Sequence, residues 1–429
     1  MDDSTGSVVL AAVGAEVAAL WEAVVSVEGS DLETAEGMVR DGVLAIGARL
    51  LEASVAARGT GKGGARIACG CGGDAGFEGY RAKQVQTVVG WITIRRAYYG
   101  CAACGHGRAP LDTALGLARD SHSPGVRRLA CRFGARQPFA QAADDLAAAA
   151  GAIHLSASTV RTVTETVGAR RQAVLAAEMA AAWEVGLPAV ADAPERLYVA
   201  MDGVYVLGTA GVGHEVKVGM VVPVRTIAER ERRESASYAA GLESAAVFGR
   251  RLALEAHRRG LERAGMIAVL GDGAAWIWSV AAEHFPGAIH IVDWYHASER
   301  VWDLGRALFG AETPETTAWV ESQLARLAQG QAATLAVEWQ ALSCRGEAAT
   351  IRDEQVTYFT NQASRMAYDQ FRADGWDIGS GMVESACKHL IAAREKGAGM
   401  RWSVDGAHAV AAVRVLLGND QWRSYDLAA

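Results

Sequence analysis

Apolar and polar positions alternate with more than one rhythm along this chain, and each change of rhythm marks a change of element. Over "DLETAEGMVRDGVLAIGARLLEASVAAR" the apolar residues recur at mixed three- and four-residue spacing behind Asp31, a capping side chain, which predicts an amphipathic helix. "GTGKGGAR" ends that pattern and reads as a linker. "VQTVVGWITIRRAYY" follows, two β-rich runs broken at Gly90, the pattern of a hairpin. Residues 127–170 return to helical spacing, with an Ala-rich helix to Ala150, a break at Gly151 and a second helix opened by "LSAST". That arrangement fits a helix-turn-helix whose second helix presents Ser158, Thr159 and Arg161 near its start, although all-α domains often look similar.

From "RLYVAMDGVYV" strict alternation takes over and predicts a strand around Asp202, with β character continuing through "HEVKVGMVVPV" to about Val224. "YAAGLESAAVFGRRLALEAHRRGLERAG" reads as helix and "MIAVLGDG" as a strand ending at Asp272. "AAWIWSVAAEHF" is a helix stopped by Pro286, and "AIHIVDWYH" a strand ending at Asp293. Antiparallel strands first and strand-helix-strand units later describe an α/β sheet, whose ligands gather at the carboxyl ends of its strands. Beyond His296 the chain reads as helical, with Trp302, Trp319 and Trp339. It returns with "GWDIGSGMVESACKHLIAAREKGAGMRW", where Ser380 can cap a helix running to about Lys396 with Gly397 as its stop. Glu384 then lies in the first turn, where it can face a sheet edge carrying Asp202 and Asp272; three acids from two strands and one helix could hold two divalent ions.

Composition changes this picture in three ways. A chain of 429 residues, 51% hydrophobic, has room for two or three domains with cores of their own. Its start is acidic where a signal peptide would be basic, and no apolar run reaches the ~20 uncharged residues of a membrane span, so a cytoplasmic, membrane-free protein is expected. The net charge of -7 argues against a wholly basic nucleic-acid binder, yet residues 54–137 hold 13 Lys and Arg against 4 Asp and Glu. That local excess is either a solvated surface or a footprint for phosphate backbones.

Four of the seven cysteines form two close pairs, Cys69 with Cys71 and Cys101 with Cys104, at the two ends of the predicted hairpin. In a reducing compartment such pairs point to metal rather than disulfides, and tetrahedral Zn2+ takes four thiolates from two turns in this way, as in a zinc ribbon. "CAAC" has the usual spacing; "CGC" is one residue short, which leaves open unmetallated thiol pairs, or His106 as a substitute ligand. Cys131, Cys344 and Cys387 read as small apolar residues.

"DGVYV", "GDGAAWIW", "FPGAIHIVDWYHASERVW", "MVESACKHLIAAREKGAGMRW" and "VRVLLGNDQW", in this order, resemble the ISKra-type bacterial insertion-sequence transposases, relatives of the Mutator-like DDE group. The resemblance extends back through "TVVGWITIRRAYYGCAACGHGRAPLDTALGL" and covers nearly all of residues 66–422. It implies a multidomain α+β protein: a zinc-ribbon and helix-turn-helix front end, then an RNase H-like α/β catalytic core with a helical insertion. The regions fall at 1–60, 61–125, 126–190 and 191–429, with the insertion at about 300–372. The family's acidic triad falls on Asp202, Asp272 and Glu384, holding Mg2+ or Mn2+, and "DWYH" matches its accessory C/D-x-x-H motif through Asp293 and His296. The implied partners are double-stranded DNA, at element ends and target, and further copies of the chain. The implied reaction is cutting and joining of DNA by two-metal-ion hydrolysis and transesterification. The "CGC" pair departs from the C-P-x-C of relatives.

In an RNase H-like sheet, as the resemblance implies, the Asp202 strand borders the Asp272 strand and the Asp293 strand lies one place further out. Strands ~4.8 Å apart let Asp202 and Asp272 share ions ~3.5 to 4 Å apart, whereas Asp293 starts ~10 Å from Asp202. Asp272 is therefore the expected ligand, with Asp293 and His296 a supporting pair; a structural role for His296 is the alternative. Lys388 and Arg401 are candidate phosphate contacts or solvated charges. Two other classes stay open: a transposase-derived DNA-binding protein without cleavage, and an RNase H-like nuclease that cuts without joining.

Overall fold

The computed structural model describes residues 3–27, 31–117, 121–187, 190–191, 193–227, 230–379 and 381–425. The protein is α+β and divides into two compact units, Met1–Val167 with Ser424–Ala429, and Gly168–Arg423. The division falls inside one long helix, so the helical region expected at 126–190 is shared between the units.

The first unit opens with α1 (Asp3–Val25) and α2 (Leu32–Ala57). Asp31 caps α2 as its sequence position predicts, its carboxylate accepting the Thr34 N–H at 2.9 Å. A four-stranded antiparallel sheet follows, in the order β1 (Arg66–Ala68), β2 (Asp74–Thr87), β3 (Gly90–Cys101) and β4 (Gly107–Arg108). The hairpin turn is Val88–Val89, and Gly90, the expected break, opens β3 with φ +127°, a conformation that favours glycine. One face of the hairpin is apolar: Val85, Ile92 and Ile94 pack with Leu111, Ala48, Leu51 and Val55, the last three spaced three and four apart along α2. Helices α3 (Pro110–Ala114), α4 (Pro124–Gly134), α5 (Phe139–Ala150) and the start of α6 (Ala157–Val185) complete the unit.

The second unit is built on a six-stranded mixed sheet in the order β10-β9-β5-β6-β7, with β8 also paired to β6. Strands β5 (Arg196–Leu207), β6 (Gly213–Ile227) and β7 (Arg230–Arg233) are antiparallel, as is β8 (Ser237–Gly241) on β6. Residues 238–241, expected to be helical, thus belong to an edge strand, because hydrogen bonds to β6 outweigh the weak helical preference of "YAAG". Helix α7 (Ala245–Arg258) leads to β9 (Met266–Gly271), and α8 (Ala275–His284) to β10 (Ile289–Val292); both strands run parallel to β5. Crossover helices of this kind are what parallel neighbours require.

Five helices follow, α9 (Trp294–Phe309), α10 (Pro314–Leu327), α11 (Ala332–Gln340), α12 (Glu347–Gln362) and α13 (Tyr368–Ala373), around a core in which Trp339 lies 4.7 Å from Phe359 and 6.0 Å from Trp319. They occupy the place expected for the insertion. The chain returns in α14 (Gly381–Ala386), a π-helical segment (Cys387–Ala392) and α15 (Ala393–Glu395), and ends with α16 (Val404–Gly418). Ser380, the expected cap, lies outside the described residues. Among the described residues no helix is long and apolar enough to cross a membrane.

Candidate functional site

Strand register brings the acids together. Ala200 pairs with Leu270 and Gly271 with Val292, so Asp202, Asp272 and Asp293 form one row across β5, β9 and β10. The order of the three strands is the one expected from the resemblance. Asp202 accepts the Gly203 N–H at 2.7 Å; burial, with the Asp272 charge adding to it, pushes its carboxyl above the usual range, against the opposing effects of the Cys387 thiol, the Gly203 N–H and His296. Asp272 closes the turn after β9, accepting the Ala274 N–H at 2.8 Å. Gly273 beside it has φ +100°, and a Cβ there would stand 2.7 Å from the Tyr358 ring.

Asp293 is fully buried and caps α9, accepting the Tyr295 N–H at 2.6 Å, while its other oxygen lies 3.7 Å from His296 Nδ1. That carboxylate raises the His296 imidazolium to about 9 despite the cost of burial, and the charges of Asp272 and Asp202 add to the effect. At the start of α14, Glu384 reaches the same place: one ligand atom each from Asp293, His296 and Glu384 lie within 4.8 Å of one another. Asp202 and Asp272 belong to no group of three that tight among the described residues. The Asp293 pair therefore stands within reach of Glu384, although α14 itself packs against β5 and β6.

Lys388, expected on phosphate, is exposed and lies 3.7 Å from Glu384; Arg401 is exposed beside the buried Trp402. Sequence reasoning missed three residues. Cys387, read as a small apolar residue, opens the π-helical segment and presents its thiol to Asp202, and burial pushes that thiol up. Tyr358 and Gln362, one turn apart on α12, donate to the backbone carbonyls of Asp272 at 2.6 Å and Gly273 at 2.9 Å. Polar residues four apart on an otherwise mixed helix are a faint signal, and nothing local says what they bond.

The other cluster lies in the first unit. Cys69 Sγ and Cys104 Sγ are 3.7 Å apart, as are Cys71 Sγ and Cys101 Sγ, and all four sulfurs lie within 4.8 Å of one another. Ligands at 2.3 Å on a tetrahedron would be separated by ~3.8 Å, so the short "CGC" pair does not prevent a four-thiol site. Glycines make the two turns: Gly72 N–H bonds the Cys69 carbonyl, and Gly105, at φ +69°, bonds that of Cys101. The backbone amide of Cys104 helps lower the Cys101 thiol to about 7, against burial. His106 is exposed and not part of the cluster.

Of the expected helix-turn-helix, Ser158 and Arg161 are exposed on the first turns of α6 and Thr159 is half-buried. Ser156 caps that helix, accepting the Thr159 N–H at 3.1 Å, and Gly134 of α4 is so close to Val160 and Thr164 that only a residue without Cβ fits.

A protein with a hard-ligand cluster at the carboxyl edge of a mixed sheet and a soft-ligand cluster in a separate unit is defined by those two sites. The chain belongs to the uncharacterised protein family UPF0236, whose model matches residues 76–424. The matched span contains the acids, the histidine, Cys101 and Cys104, and begins after Cys69 and Cys71. Comparison with curated proteins gives no match.

Proposed function

We propose that this protein is a DNA transposase of the ISKra-type it resembles, with an RNase H-like core in the second unit and a DNA-binding, zinc-holding first unit. The observation that carries the reading is the row of Asp202, Asp272 and Asp293 at the carboxyl edge of three neighbouring parallel strands, with Glu384 brought to it by a separate helix. Strand order, three antiparallel strands followed by two parallel ones, supports the same core.

The oxygen donors of Asp202, Asp272 and Glu384 fit Mg2+ or Mn2+, and Asp202 is raised by burial with the Asp272 charge adding to it. When bound, such ions would activate a water and then a DNA 3'-hydroxyl, and stabilise the leaving oxygen. The protein supplies positioning: the Gly203 and Ala274 amides fix two carboxylates, and α12 holds the Asp272 turn. No covalent protein intermediate is required. The four thiols would hold a structural zinc, which would stiffen the basic sheet for contact with phosphates.

One observation favours a second placement of an ion, on Asp293, His296 and Glu384, which are the tighter group. Purified protein on DNA carrying candidate inverted repeats separates the two. We expect divalent-dependent cleavage and joining, lowered about 100-fold or more by Asp202→Asn, Asp272→Asn and Glu384→Gln with DNA binding retained. Cleavage surviving Asp272→Asn but lost in Asp293→Asn reverses the assignment, and cleavage without joining leaves a nuclease.

A further inference from the structure

On the reading above, a DNA strand reaching the acidic edge brings negative charge to Asp202, Asp272, Asp293 and Glu384, and cations without acids of their own must offset it. His296 and Lys388 are taken, the first 3.7 Å from Asp293 and the second 3.7 Å from Glu384. Arg365, just beyond the end of α12, pairs with no carboxylate among the described residues. Its guanidinium bonds only neutral acceptors, the Asn361 carbonyl at 3.3 Å and the Gln362 side-chain oxygen at 2.9 Å, and lies 4.7 Å from the centre of the Trp278 ring. Burial pushes its ionisation down, and no anion opposes the shift. Trp278 stacks in turn on His290 of β10, with 5.5 Å between ring centres, so the cation rests on a firm floor.

Arg365 lines a cleft of about 1030 Å³ between α8 and α12. Asn361, one turn before Arg365, presents an exposed amide that makes no hydrogen bond among the described residues, and Ser279 of α8 brings a hydroxyl to the same cleft. Arg, Asn and Ser are side chains that DNA phosphates take as partners. Asp353 and Glu354 line the cleft as well, but they lie about 17 Å back along α12, and Asp353 is paired with Arg352. The Arg365 end also reaches the acidic edge. Gln362, bonded to Arg365, donates to the Gly273 carbonyl at 2.9 Å, which places the guanidinium within about 8 Å of that carbonyl. At about 3.4 Å of rise for each nucleotide, that is a span of two or three nucleotides.

We infer that this cleft is the path of the DNA strand on one side of the bond to be cut, with Arg365 and Asn361 holding a backbone phosphate two or three nucleotides from the Asp272 turn. The inference rests on the DNA-processing reading and says where the substrate lies. An unpaired guanidinium alone suits any anion; its place in an open cleft that runs to the Asp272 turn is what selects a strand. The contact also bears on the site, because Gln362 and Tyr358, which line the same cleft, hold the carbonyls of Gly273 and Asp272.

The test is binding of the intact protein to a fluorescent DNA duplex of about 30 base pairs, by anisotropy over a range of salt, with Ca2+ present to balance the acids and the DNA checked intact afterwards. We expect Arg365→Gln to weaken binding about five- to tenfold at about 0.1 M salt, and to lower the slope of log affinity against log salt by about one. Arg365→Lys, which keeps the charge, should keep the slope. Ser279→Trp, which fills the cleft from an exposed position, should weaken binding at least tenfold, whereas Arg306→Gln, a surface cation tied to Asp303, should change neither quantity. Thermal melting of each variant with the wild type shows that the fold is kept. A wild-type slope in folded Arg365→Gln, or wild-type affinity in folded Ser279→Trp, overturns the inference and leaves DNA binding standing. A wild-type chain that binds no DNA brings down the reading beneath it as well.

Discussion

His296 is the residue on which the acidic edge depends electrically. Its imidazolium faces Asp293, Asp272 and Asp202 together, and their charges, Asp293 first, raise it from 6.5 to about 9. The preference has a sign. A histidine with a raised folded value contributes stability in full below 6.5, and loses it as pH rises through 9. With the side chain 31% exposed, solvent screening reduces the contribution to about 1 to 2 kcal/mol. In divalent-free buffer, wild type should therefore exceed His296→Gln in stability by that amount at pH 6, and the gap should close by pH 9.5, as read from urea midpoints. A gap that stays constant across this range means that packing, not charge, is what His296 supplies.

At the level of elements, the turn after β9 shows how a distant helix sets a site. Asp272 follows a strand that its own sequence predicts, but the carbonyls of Asp272 and Gly273 are held by Tyr358 and Gln362, more than eighty residues later. Tyr358→Phe removes one hydrogen bond and should cost about 1 kcal/mol. Gly273→Ala adds both a strained backbone and a collision with the Tyr358 ring, and should cost about 2 to 4 kcal/mol. Urea unfolding of both variants checks the order; an alanine at 273 that costs less than the phenylalanine at 358 would mean that α12 does not hold the turn. The same turn explains what a sequence can reveal. Period-two alternation located β5 and β6, and apolar runs located β9 and β10, because burial on one or both faces writes itself into neighbouring residues. The pairing of β8 with β6, the thiol of Cys387 on Asp202 and the approach of Glu384 to Asp293 rest on contacts between residues far apart, and leave no periodic mark.

On the scale of the whole molecule, each unit carries its own core and its own cluster of ligands, so the two should fail separately. The four cysteines were legible as a cluster able to hold a metal from their placement at the ends of a hairpin; what spacing left open was whether "CGC" could reach, and the Gly72 turn supplies the reach. A thiolate site of this kind contributes folding free energy directly, since the unfolded chain has no preformed cage. Protein prepared without chelator should hold about one zinc per chain by elemental analysis. Cys101→Ser should release it, because Cys101 is the buried member of the set and a hydroxyl is a poor replacement for a thiolate. Thermal unfolding should then show an earlier transition for the first unit, while the tryptophan-rich second unit keeps its near-UV signal and melts where it did before. On the proposed transposase reading, DNA binding should weaken with loss of the zinc, and most of all in its salt dependence if the sheet supplies the phosphate contacts. Zinc-free protein whose first unit melts unchanged would leave the four thiols as neighbours without a metal.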